Sequence, residues 1–287
     1  ELVIKLRQIK AENSVEKLMQ DLERTAVSTL PYYDIRYPKL LKEIYDAPPV
    51  LFYRGTLGSP TETCIAIVGT RNMSPYGNSI MPAITTPLIN AGVTIVSGMA
   101  LGIDGAAHLE SIKHGARTIA VLGCGVDEAS IYPRSHFRLS QQILDNDGLI
   151  ISEQPPMMPA LKHHFIARNR IIAGLSLGVV IVECKLKSGA LITADYAGDF
   201  NRALYAVPGP AYSSVSQGPH MLIQNGAALI TKGEDILEDL VLSSPSYGEQ
   251  KLKFTTQKFT ETETAVLECM KDASATIDTI AKSTLLM

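Results

Sequence analysis

Short apolar runs, the first three closed by glycine, alternate with helical segments from residue 64 onward. Ile65-Ala66-Ile67-Val68-Gly69 is the first and Thr94-Ile95-Val96-Ser97-Gly98 the second. Thr118 to Gly123, Leu149 to Ser152, Val179 to Glu183, Leu204 to Val207 and Ala228 to Thr231 follow. Continuous apolar runs bounded by glycine suit strands buried on both faces. Their alternation with helices predicts a parallel sheet of βαβ units with right-handed crossovers. Residues 60–240 therefore read as one doubly wound α/β domain. Such sheets bind ligands outside the carboxyl ends of their strands, so the glycine-rich turns there are the first candidates for a site.

The flanks read differently. Residues 1–58 are expected to be helical and connecting material: Asn13 and Glu16 have capping-box spacing, and Leu18, Met19 and Leu22 recur on a helical face. Pro38, Pro48 and Pro49 break the chain before the sheet begins. Beyond the α/β domain, bounded at 59–241, Ser243-Ser244-Pro245-Ser246-Tyr247-Gly248 marks a linker over 242–258. Over 259–287, Thr260 with Glu263, Val266, Leu267 and Met270, and then Ile277 and Ile280, predict two short helices. They resemble the start of a helix-turn-helix, cut at Met287 before a winged-helix module is complete.

Hydrophobic residues make up 46% of the 287 and charged residues 19%, enough apolar material for a sizeable core and too little charge for a disordered chain. No stretch reaches the ~18 apolar residues of a membrane helix. The start at Glu1 rather than Met leads us to expect a piece of a longer protein, and no signal-peptide pattern is present. Cys64, Cys124, Cys184 and Cys269 are scattered without a C-x-x-C pair. That disfavours a disulfide framework or a cysteine zinc site and fits a reducing, cytoplasmic compartment. No metal or cofactor is expected. The net charge of −3 excludes a globally basic nucleic-acid binder. Its distribution is uneven, however. Residues 131–190 carry Arg134, Arg138, Lys162, Arg168, Arg170, Lys185 and Lys187 against Asp145, Asp147, Glu153 and Glu183, with His163 and His164 as further donors. Positive charge is concentrated in the middle of an acidic domain.

Several motifs sit at the strand ends. Gly69-Thr70-Arg71 closes the first strand, and Ser74-Pro75-Tyr76-Gly77 leads into a helix. A helix N-terminus, glycine-exposed amides and a bidentate guanidinium suit a phosphate, while the bland alternative is an ordinary turn with a surface arginine. Ser97 and Gly98 open the next turn, in which Asp104 can cap a helix and His108 reads as structural. Gly123-Cys124-Gly125 begins like a dinucleotide fingerprint, but Glu128 replaces the third glycine, and no Walker loop is present. Arg134 with Tyr132 and Phe137, and Phe165 with Arg168-Asn169-Arg170, put cations beside aromatics. That pattern suits a groove where phosphates are neutralised and bases stack, unless both phenylalanines are core residues. Glu183, Lys185, Lys187 and Ser188 end another strand, where Glu183 can accept from a base edge or from an arginine. No pairing of a nucleophile with a general base stands out.

Together these runs resemble the bacterial DNA-processing protein A family (DprA/Smf). The matching pieces include Val68-Gly69-Thr70-Arg71, Ser97-Gly98-Met99-Ala100, Gly102-Ile103-Asp104, Tyr132-Pro133, Ser152-Glu153 with Pro155-Pro156, Arg168-Asn169-Arg170 through Ser176, Ser188-Gly189, Ala206-Val207-Pro208-Gly209 and Leu222-Ile223. They span about residues 35–240, and the Arg-Asn-Arg run is the most distinctive. Leu101 stands where arginine is common in the family, which removes one cation. Met157, Ile166, Ala190 and His136 are further departures.

The resemblance implies an extended Rossmann fold that binds single-stranded DNA without turnover. It also implies a homodimer that protects incoming strands in natural transformation and loads the RecA recombinase. Carried across, the DNA-binding candidates are Gly69, Thr70, Arg71, Ser97, Gly98 and Arg134. Phe137, Arg168, Asn169, Arg170, Glu183, Lys187 and Ser188 join them from the motifs above. Met221, Leu222, Ile223 and Leu229 form the candidate dimer stripe, with a buried core helix as the alternative. The rival class is a phosphoribohydrolase-like nucleotide-processing enzyme on a related scaffold, whose Pro-Gly-Gly-x-Gly-Thr run is missing here.

Overall fold

The computed structural model describes residues 15–240. The strands are β1 (Ser28–Pro31), β2 (Val50–Gly55), β3 (Cys64–Val68), β4 (Thr94–Ser97), β5 (Thr118–Val121), β6 (Leu149–Ser152), β7 (Gly178–Ile181), β8 (Ala203–Ala206) and β9 (Ala228–Leu229). The helices are α1 (Val15–Thr25), α2 (Lys39–Lys42), α3 (Pro75–Asn90), α4 (Ile103–Lys113), α5 (Phe137–Asp145), α6 (Lys162–Gly174), α7 (Gly189–Asp199), α8 (Gln217–Gln224) and α9 (Gly233–Asp239). One nine-stranded sheet runs in the order β1-β2-β6-β5-β4-β3-β7-β8-β9. From β6 to β9 every neighbouring pair is parallel. This is the doubly wound, mostly parallel α/β architecture that the apolar runs predict, with strand starts shifted by a residue at most.

Successive side chains of a strand point to opposite faces, so a sheet covered on both faces needs apolar residues at every position. Ala66, Val68, Val179 and Ile181 pack on one face with Ile171 and Ile172 of α6, Ala190 and Ala194 of α7, and Leu222 of α8. Ile65, Ile67 and Val180 pack on the other with Met81, Ile84 and Leu88 of α3, Ile103 and Ala107 of α4, and Ile236 of α9. Farther along, Ala120 and Ile150 meet Leu139 and Ile143 of α5. No helix among the described residues is long and apolar enough to cross a membrane.

Residues 28–31 and 50–55 correct the expectation of helical and connecting material over 1–58. β1 pairs antiparallel with β2 (Ser28↔Tyr53), and β2 pairs antiparallel with β6 (Phe52↔Ser152), which extends the parallel sheet. Val50-Leu51-Phe52-Tyr53 is a β-branched and aromatic run. Pro48 and Pro49 stop short of it, and Pro31 ends the edge strand, where a missing ladder donor costs little. Leu18 and Leu22 of α1 pack against the core as expected, whereas Met19 is exposed. Asn13, the linker 242–258 and the tail 259–287 lie outside the described residues.

His108 is fully buried on α4. The Thr118 hydroxyl donates to Ile95 O (2.7 Å), so it accepts from His108 Nδ1 (2.8 Å) and fixes the proton on that nitrogen. Burial, with the His136 and Arg168 charges, holds the imidazole down to about 3. The folded chain cannot take up this proton, but the unfolded chain does so below about 6.5. The stabilisation is therefore complete above that pH and is lost as pH falls towards 3. His108→Gln is expected to flatten the acid side of the stability profile by about 1.4 kcal/mol per pH unit between about pH 6 and 4. Urea titrations of both proteins across that range test this, and parallel profiles would refute it.

Candidate functional site

The strand order reverses at β3, which lies between β4 and β7. The helices that follow β3 and β7 cover opposite faces. The loops leaving these two strands therefore diverge and leave a crevice at their carboxyl ends. A cleft of about 990 Å³ opens there. Gly69, Thr70 and Arg71 form one wall, and Lys187, Ser188 and Gly189 another. Helix α6 supplies the third through Lys162, Phe165, Ile166, Asn169 and Ile172, a helical stripe along one face.

Three exposed cations line the cleft, Arg71, Lys162 and Lys187, against one exposed acid, Asp195. The accessible lining therefore carries +2 in a chain whose net charge is −3. The Arg71 guanidinium lies 5.7 Å from the centre of the Phe165 ring, and the Phe165 and Tyr132 rings are 5.6 Å apart. Leu101 joins Arg71, Tyr132, Pro133 and Phe165 around a small side pocket and contributes apolar surface there.

Other candidate cations and acids turn inward. Arg168 is 5% exposed and donates through Nη1 to Gly98 O (2.7 Å) and to Val121 O. Burial pushes its guanidinium below the ordinary value, opposed by the Asp104 charge. Asp104, also buried, accepts from Gly98 N (3.1 Å) and faces the Gly69 and Ala100 amides. Burial raises its carboxyl, against the pull of Arg168 and these amides. The Gly98 amide is thus spent inside the protein. A Cβ on Gly98 would collide with the Arg168 guanidinium. At Gly69 it would lie 2.6 Å from Ile103 and 2.8 Å from Glu183 O, so packing accounts for both glycines.

The N-terminus of α3, read as a phosphate site, already holds an anion. Ser74 caps the helix by accepting from Gly77 N (3.1 Å). The buried Glu183 carboxylate accepts from Ser74 N (2.9 Å) and from the Ser74 hydroxyl. A carboxylate at a helix N-terminus offsets the dipole and occupies the place a phosphate needs. The Glu183 carboxylate is therefore engaged inside the protein and does not face the cleft lining. Arg170 is likewise engaged, paired with Asp46 (2.8 Å) and Glu153 (2.6 Å). Ser97 is buried and donates to Ile67 O (2.6 Å). Arg134 donates to Glu128 O (2.6 Å) and sits 4.6 Å from the Phe137 ring, whose half-buried side chain packs on the core. Arg134 lies beside the small pocket, through its neighbours Tyr132 and Pro133, but does not line it.

Asn169 belongs to the cleft and ties α6 to α7 by donating to Gly189 O (3.1 Å), while Ser188 caps α7. The proposed dimer stripe is split. Met221 lines the cleft, Leu222 is buried, Ile223 is half-buried against the core, and Leu229 on the edge strand β9 is exposed. Lys162 and Asp195 are cleft residues that the sequence motifs missed. Lys162 stands three residues before Phe165, the spacing of one helical face, but Leu161 at the N-cap makes no side-chain cap to announce the helix start. Asp195 carried no signal. Among the described residues no group of three or more side chains is arranged to hold a metal.

The switch-point crevice and its cationic, aromatic rim define a doubly wound α/β ligand-binding protein suited to an anionic, ring-bearing ligand. Residues 28–241 match the family described as DNA recombination-mediator protein A. The chain belongs to this family. It is 45% identical over 203 residues to the DNA processing protein DprA of Streptococcus pneumoniae, covering 71% of each chain. It is 42% identical over 254 residues to that of Bacillus subtilis, covering 84% of each. The solved S. pneumoniae structure superposes with a TM-score of 0.73 over 79% of this chain and 78% of that one, at 40% identity. The DNA processing protein A of Helicobacter pylori, solved for its single-stranded DNA binding mode, gives 0.65 at 30% identity over 75% of this chain and 95% of that one.

Proposed function

We propose that the cleft holds single-stranded DNA, with Arg71, Lys162 and Lys187 on phosphates and a base against the Phe165 and Tyr132 rings. The carrying observation is the placement of these three exposed cations beside two aromatic rings at the switch point of an otherwise acidic chain. Few groups there are placed to read base edges, so sequence preference is weak. The aromatic platform requires unstacked bases, so single strands are preferred over duplex. We extend the proposal to a cytoplasmic homodimer that binds without turnover, protects strands during natural transformation and passes them to the RecA recombinase. Family membership and the single-strand binding mode of the H. pylori relative support this extension.

Fluorescence anisotropy with single- and double-stranded oligonucleotides across a salt series tests the cleft reading. Three phosphate contacts give a slope of log K against log salt of about −2 for a single strand. Binding that ignores salt, or that prefers duplex, overturns it. Release of free base from nucleoside monophosphates would instead favour a hydrolase.

A further inference from the structure

We infer that a strand seated in the cleft leaves it over the β7–α7 loop and stacks a base on Tyr212; this rests on the single-strand reading of the cleft. Tyr212 is the most exposed large hydrophobic side chain among the described residues. It occupies the tip of a turn between β8 and α8, closed by Ser213 N donating to Pro210 O (2.9 Å). The loop is pinned on both sides of that turn. Tyr76 donates its hydroxyl to Pro208 O (2.6 Å), and Cys184 N donates to Val215 O (2.7 Å). A ring presented on a pinned turn loses little freedom when a base covers it.

The position of the loop selects the ligand. The Cys184 bond to Val215, together with Gly218 N donating to Cys184 O (3.0 Å), lays the limb after the turn along the start of the β7–α7 loop. That loop continues through Lys185, Leu186 and Lys187, all exposed, and the last two line the cleft. Helix α8, which follows the Tyr212 loop, adds Met221 to the cleft wall. The two segments bordering this path hold no acid, although Asp195, just beyond the first, lines the cleft. Residues 184–194 contain Lys185 and Lys187, and residues 200–233 contain Arg202 and Lys232, with no Asp or Glu in either stretch. A phosphate chain running from the cleft across Lys187 and Lys185 therefore meets cations and then an unoccupied ring. That combination of backbone neutralisation and stacking is how single strands are held without sequence readout.

Anisotropy with oligonucleotides of about 5 and about 15 nucleotides separates the subsites. Tyr212→Ala is expected to weaken the longer one about 5- to 20-fold and leave the shorter unchanged, with Tyr212→Phe restoring wild-type binding. An unchanged affinity for the longer strand, with Arg71→Ala still defective on both, overturns the exit path and spares the cleft. Equal loss on both lengths, or an altered mass by light scattering, also overturns it, because Tyr212 then serves the cleft or a contact between copies. If Arg71→Ala binds both strands like wild type, the cleft reading fails and takes this inference with it.

Discussion

Arg71→Ala is expected to weaken binding of an unstructured oligonucleotide about 10- to 100-fold, whereas Arg134→Ala changes it less than about threefold. Both residues are exposed arginines beside aromatic rings, so the contrast comes from what each guanidinium already does. Arg134 is held by Glu128 O and stands beside Phe137, next to the pocket rather than in it. Arg71 lines both the cleft and its side pocket. Losing one phosphate contact should also make the salt slope shallower by about 0.7. Side-by-side anisotropy titrations measure both quantities. Comparable losses for the two variants would overturn the contrast and extend the strand's path past the small pocket onto Arg134.

Arg168→Met is expected to lower unfolding free energy by about 2–4 kcal/mol, because it removes the guanidinium charge that opposes the burial of the Asp104 carboxyl and leaves buried carbonyls without a donor. The lost bonds, to Gly98 O and Val121 O, join α6 to the ends of β4 and β5. Adding Asp104→Asn should recover part of the loss, since the two charges act as one unit. The chain has no tryptophan, so urea unfolding is best followed by far-ultraviolet circular dichroism. A loss below about 1 kcal/mol in the single variant would mean that the Asp104 charge is compensated elsewhere.

Part of the candidate site is legible in the sequence and part is not. Gly69, Thr70, Arg71, Lys187 and Ser188, expected from their place after strands, line the cleft at the switch point. Charge and proximity in sequence point to Arg168, Arg170 and Glu183, but each is buried against a partner. Glu183 meets Ser74 across 109 residues, and Arg168 meets Gly98 across 70. No local pattern announces contacts of that span. The strands β1 and β2 are not legible because they pair antiparallel with only the four-residue α2 between them, outside the βαβ rhythm, and the prolines at their ends look like breaks.

What the chain's own pattern established is the layered α/β sheet and the strand-end rim where the proposed site lies. Burial on both faces demands unbroken apolar runs, and close turns demand glycine, so both leave marks in the order of residues. Which charges remain open to a ligand was decided only in three dimensions. A guanidinium or carboxylate is available or spent according to the partner that folding brings beside it, and for Arg71 and Arg168 that partner lies far away along the chain.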